Sequence, residues 1–219
     1  MTYMVTINSE EESLVRQFKN IEEMHVVKLQ DPSPGPIAPQ YSQRDPRWKD
    51  IRIGSGNTTI GAYGCVISSF GMGMARMFGD EYLPNYVNQK MKEANGYVGT
   101  NKNRWVWEKP AEIFSGIVLG EVIDCSNVPA PLGVINDALL DEDIVLVRVD
   151  NNRAVNGVQD HWVLVTRRVI TPALQDGYSI ADPWPLPGEE YIKTIPPAFC
   201  IPTWSASRAI FSIVTYRRA

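Results

Sequence analysis

The chain has 219 residues, with 21 Lys and Arg against 25 Asp and Glu, a formal net charge of -4 and a sequence pI near 5.3. Its basic residues are scattered, which argues against nucleic acid as a partner, and no apolar run approaches the roughly 20 residues of a membrane span. The length suits one domain of about 150 to 200 residues plus an appendage, with a core large enough to need no disulfide staples.

Three cysteines, Cys65, Cys125 and Cys200, lie far apart with no CxxC pair. That spacing argues against a zinc knuckle, allows one disulfide at most, and points to a reducing compartment and to no cofactor or metal. The first residues, "MTYMVTINSEEES", have neither the basic nor the apolar region of a secretion signal, so synthesis in the cytoplasm is expected, with delivery elsewhere left to another component.

In chain order, Tyr3, Val5 and Ile7 alternate as in a half-buried strand. Ser9 and Glu12 form a capping-box pattern ahead of a helix bearing Leu14, Phe18 and Ile21, and "HVVKLQ" reads as a second strand. Residues 1–30 are thus expected to form a small β-α-β appendage that docks on a partner or extends the main sheet. The stretch "DPSPGPIAPQ", residues 31–40, has four prolines and predicts an extended linker. Residues 41–219 would form the main domain.

A turn-rich loop, "YSQRDPRWKDIRIGSGNTTIGAYG", leads to a helix predicted to begin at Cys65 and to stop at Gly79. Apolar residues fall on nearly all its sides, so it should be buried. Gly71 and Gly73 each cost the helix about 1 kcal/mol relative to alanine, which predicts close approach of another element. A second helix should start near Leu83 with Pro84 in its first turn, and a third is expected in "LGVINDALLDED". Strands are predicted at 144–150, 161–169, 177–184 and in the C-terminal "AIFSIVTYR", the second and third joined by a loop containing Pro172 and Gly177. Helices followed by an antiparallel sheet predict an α+β domain.

Unpaired amides and the positive end of the helix dipole stabilise a thiolate at a helix N-terminus, which makes Cys65 a candidate nucleophile rather than only a small core residue. Nucleophilic catalysis needs a base within reach. Of the two histidines, His25 falls in the appendage and reads as structural, whereas His161 heads an apolar strand. A hairpin centred near residue 173 returns Asp182 to within a few residues of His161, where a carboxylate can orient the ring and stabilise the imidazolium. Asp182 also belongs to "ADPW", a turn that ends a strand, and Trp184 there either packs on the rim or shields the histidine–aspartate bond. Gln43 is either an exposed loop amide or, with the Cys65 N–H, an oxyanion donor.

The order Gln43, Cys65, His161, Asp182, set in "YSQRDPRW", "TIGAYGC", "DHWVLVT" and "YSIADPW", resembles the C39-like cysteine peptidases of the papain-like superfamily over about residues 41–184. The resemblance implies a helical part led by the nucleophile helix and packed on an antiparallel sheet carrying the histidine and the acid. By position, it implies Cys65 as nucleophile, His161 as general base and then acid, Asp182 as orienting acid and Gln43 as oxyanion donor. The expected substrate is a protein or peptide, with the peptides of peptidoglycan, reached from a phage particle, as one case. Two other readings fit the same residues: a structural or docking component of a larger assembly, such as a phage virion protein without turnover, and an acyl transferase of transglutaminase type.

Overall fold

The computed structural model describes residues 38–79, 82–150, 160–171, 174–195 and 205–219. The expected β-α-β appendage, with His25, lies outside the described residues, as do most of the linker and Cys200.

The loop after the linker closes on itself through a bridge between Arg52 and Thr59 and enters a one-turn helix, α1 (Ile60–Tyr63). Helix α2 (Cys65–Phe78) follows after the single residue Gly64 and stops at Gly79, as its sequence predicts. Helix α3 (Pro84–Glu93) has Leu83 as its N-cap. A two-residue hairpin, β1 (Tyr97–Val98) with β2 (Arg104–Trp105), a short helix α4 (Lys109–Ile113) and strand β3 (Ile117–Asp124) come next. Then follow α5 (Leu132–Leu140), β4 (Ile144–Asp150), β5 (Asp160–Thr171), β6 (Leu174–Ala181), β7 (Ile192–Ile195), α6 (Ala206–Ala209) and β8 (Ser212–Arg218).

Six strands form one antiparallel sheet in the order β3-β8-β4-β5-β6-β7, which makes the domain α+β. Strand β4 is flanked on both sides and its sequence "IVLVRVD" is almost wholly apolar, the pattern of a strand covered on both faces. Its residues divide with the period of two of an extended chain. Ile144 and Leu146 join the core that holds Phe70, Met72 and Met74 of α2. Val145, Val147 and Val149 join a second core with Ile135 and Ala138 of α5 and with Ile210 and Ile213. Two apolar layers thus sandwich the sheet, with α2 on β4 and β5 and α5 on the opposite face of the same strands.

Three features depart from the sequence expectation. Gly177 lies within β6, paired with Val169, and Thr171 pairs with Leu174, Pro172 lying outside the described residues; the ladder overrides the turn preference of a glycine whose backbone bonds are needed there. The C-terminal strand begins at Ser212, because residues 206–209 wind into a helical turn. Strand β3, with polar and exposed positions along much of its length, escaped notice because an edge strand lacks a clean alternation. It pairs with β8, so the C-terminal strand inserts between β3 and β4.

The close approach predicted for the two helical glycines is present. A Cβ at Gly73 would lie 2.6 Å from Ile144 Cγ2 and 3.3 Å from Leu164 Cδ1, and one at Gly71 would lie 2.6 Å from the Tyr82 carbonyl oxygen. Helix α2 can rest on β4 and β5 only because position 73 carries no side chain, while Gly71 admits the backbone of Tyr82. Gly73→Ala should therefore destabilise the domain by about 1–3 kcal/mol through overpacking, even though alanine favours an isolated helix by about 1 kcal/mol. Urea unfolding checks this; an unchanged or higher midpoint would mean that the helix can lift off the sheet without cost.

Candidate active site

Cys65 is the first residue of α2, behind Gly64, whose dihedrals (φ -86°, ψ 17°) turn the chain sharply out of α1. Gly64 donates its N–H to Ile60 O at 2.7 Å, and a Cβ on it would meet that oxygen at 2.5 Å and Ile60 Cγ2 at 2.6 Å. No side chain caps the helix, so the first amides have no intrahelical partner and remain available to an anion. Cys65 is half-buried, while Cys125 is buried.

The helix is pinned along its length to the strand that carries the histidine. Ser69 Oγ donates to Trp162 O at 3.0 Å, one residue from His161, and at the other end Arg76 donates to Asp143 O at 2.7 Å and more loosely to Val165 O and Thr166 O. His161 sits at the start of β5, paired in register with Val149 of β4.

Asp182 is the residue after β6. The hairpin brings it to His161, whose Nε2 lies 2.7 Å from Asp182 Oδ1. Both residues are essentially buried, at 2 % and 1 % exposure. With Nε2 committed to the carboxylate, Nδ1 is the ring nitrogen left for another partner, and Cys65 is close enough to favour the charged ring. Burial disfavours the charged ring, but the bond to Asp182 and the nearby Cys65 outweigh it and push His161 up to about 9. Three of the four residues singled out in the sequence therefore lie together, the imidazole bonded to the carboxylate and the thiol near the ring.

The carboxylate is fully occupied. Oδ1 also accepts the Trp184 N–H at 2.9 Å in an Asx turn, and Oδ2 accepts from Lys193 Nζ of β7. Burial would raise this carboxyl, but the donors on His161, Lys193 and the Trp184 amide hold it below its ordinary value. Lys193 is the participant that sequence reasoning missed. Nothing in the alternation of "YIKTI" distinguishes a lysine facing an aspartate from one facing water, and the strand pairing Ile180 with Lys193 sets the distance. The Trp184 ring stands edge-on to the His161 ring, 85° between planes and 6.4 Å between centroids.

Gln43 is buried, at 1 % exposure, and not a surface amide. Its N–H donates to Pro183 O at 2.7 Å, and its side-chain Nε2 donates to Gly61 O at 3.1 Å and weakly to Ile60 O at 3.4 Å. It thus ties the loop behind the acid to the turn ahead of Cys65. The neighbouring chain reinforces this seam: Ser42 Oγ donates to Pro185 O, and Gln40 Nε2 to Leu186 O and Glu189 O. Gln43 Oε1 is buried without a hydrogen-bond partner.

Lys193 opposes the positive charge of the histidine across a shared carboxylate. Lys193→Met should leave more of the Asp182 field for the imidazolium and raise the His161 pKa by about half a unit, a modest shift because Lys193 is partly solvated. NMR titration of the His161 ring protons measures it; a fall would mean that Lys193 orients the carboxylate more than it neutralises it.

The chain matches no protein-family model and no curated protein, so what this site does is argued from its geometry.

Proposed function

We propose that the chain is a thiol hydrolase, a cysteine peptidase or amidase of papain-like architecture, as its resemblance to the C39-like peptidases implies. The observation that carries the reading is the buried His161 ring, bonded to Asp182 at 2.7 Å and with Cys65 near enough to stabilise its charged form. A histidine serving only the core would need one partner per polar nitrogen but no half-buried thiol at an uncapped helix N-terminus.

The Cys65 thiolate attacks the carbonyl carbon of an amide. The oxygen of the tetrahedral intermediate takes the negative charge, facing the Cys65 N–H at the start of α2. Gln43 supplies a second donor: its amide nitrogen carries two protons, one spent on Gly61 O, the other held loosely by Ile60 O. A charged oxyanion outcompetes that long bond, because charge-assisted hydrogen bonds are about twice as strong as neutral ones. Protonated His161 then gives its Nδ1 proton to the leaving amine as the C–N bond breaks, leaving a thioester. Water, deprotonated by the now neutral Nδ1, attacks the thioester and releases the acid and the thiol. Asp182 holds the ring in the orientation this requires and stabilises its charged form. Trp184 covers the ring edge-on and limits water at the His161–Asp182 bond.

Two outcomes follow. Iodoacetamide at about pH 6 should alkylate Cys65 at least about tenfold faster than Cys125, whose thiol is pushed up by burial and by Asp124; His161→Ala should abolish the difference, and equal slow labelling of both would remove the activated thiol. Hydrolysis of peptide libraries or purified peptidoglycan should disappear in Cys65→Ala and should fall as pH rises through about 9, where His161 loses the proton it donates. Identical behaviour of wild type and Cys65→Ala on every substrate would favour a structural or docking role.

A further inference from the structure

Beside the site stands a cation that the proposed chemistry does not use. Arg44 follows Gln43 directly, and its backbone N–H is tied to Ser42 Oγ at 3.1 Å. Its guanidinium lies over the Trp184 ring, 5.4 Å from the centroid, and Trp184 in turn meets the His161 ring. The three side chains form a file from charged group to indole to imidazole.

Other cations of this region are paired: Arg47, three residues on, with Asp45 at 2.7 Å, and Lys193 with Asp182. Among the described residues no carboxylate pairs with Arg44. It is half-buried, and Trp184 is 38 % exposed, so the guanidinium is held by the indole face yet still open to a ligand. A cation stacked on an aromatic ring keeps its N–H edge free for a planar anion.

Resting on the proposed thiol-hydrolase reading, we infer that Arg44 is a specificity-determining residue that binds a carboxylate on the leaving-group side of the substrate. His161 protonates the leaving amine, and Trp184 and Arg44 extend outward from His161, so the segment bearing that amine passes over them. The preferred substrates are peptides with an acidic side chain or a free terminal carboxylate just beyond the scissile bond. A neutral or basic group there would leave the guanidinium unmatched. This preference would operate mainly through encounter and orientation, the usual benefit of an exposed charge pair.

The inference can be tested without knowing the substrate, by using two aromatic disulfides that Cys65 attacks. In each, the thiolate forms a new S–S bond with one half of the reagent while the other half leaves as a thiolate. In dithiobis-nitrobenzoate the departing half carries a carboxylate; in dithiodipyridine it carries none. Second-order rates, corrected for the background in Cys65→Ala, give the ratio of charged to uncharged reagent. Arg44→Gln should lower this ratio by about five- to tenfold at low ionic strength and much less at about 1 M salt. Arg47→Gln removes the same net charge from a residue already paired and should leave the ratio alone. A ratio unmoved by Arg44→Gln, or lowered equally by Arg47→Gln, would overturn the inference. A Cys65 that reacts with the uncharged reagent no faster than Cys125 would instead remove the thiol-hydrolase reading, while the ratio still reports on Arg44.

Discussion

The site depends on how closely helix α2 lies against the sheet. Cys65 belongs to the helix and His161 to β5, so the two come close only if the elements meet at a fixed height and register. Gly73 sets the height, leaving the space that Ile144 and Leu164 fill. Ser69 and Arg76 set the register by donating to carbonyls of residues 143, 162, 165 and 166. Because packed interiors have little free volume and side chains sit in discrete rotamers, such an arrangement resists sliding. The helix therefore presents the sulfur from a rigid support, as the proposed nucleophile requires.

A second constraint is electrostatic. Burying His161 and Asp182 together removes both from water, which is tolerable only when their polar atoms are satisfied. Each carboxylate oxygen has its partners, Nε2 and the Trp184 amide on one, Lys193 on the other. The seam between residues 38–43 and 182–191 holds that constellation from behind, through Gln40, Ser42, Gln43 and the bond from Tyr191 Oη to Ala38 O. Long-range contacts that look like loop packing thus position the acid. They also place Arg44 and Trp184 where the proposed leaving group would pass.

Much of this was legible in one dimension. The helix from Cys65 to Phe78, its termination at Gly79 and strand β4 follow from apolar patterning and glycine punctuation. The pairing of His161 with Asp182 follows from hairpin arithmetic, because antiparallel strands pairing about a point near residue 173 make separation along the chain a measure of distance. Other parts left no local trace. Strand β3 and the short helices lack a strong period, and Lys193 is an ordinary strand lysine until β6 and β7 are paired. Gln43 was visible as an amide at a suggestive spacing, but its burial and its bonds to Gly61 and Pro183 join segments 18 and 140 residues away.

The sequence by itself determined the α+β class, the principal secondary elements and which thiol, imidazole and carboxylate are candidates for a site, because those depend on local periodicity, turn chemistry and side-chain type. Tertiary structure alone decided how far burial and charge act on the histidine, which cation completes the aspartate and which arginine stacks on Trp184 without a carboxylate partner among the described residues. Those outcomes depend on desolvation and on charges a few ångströms apart, and residues brought that close come from strands and loops whose separation along the chain carries no sign of it.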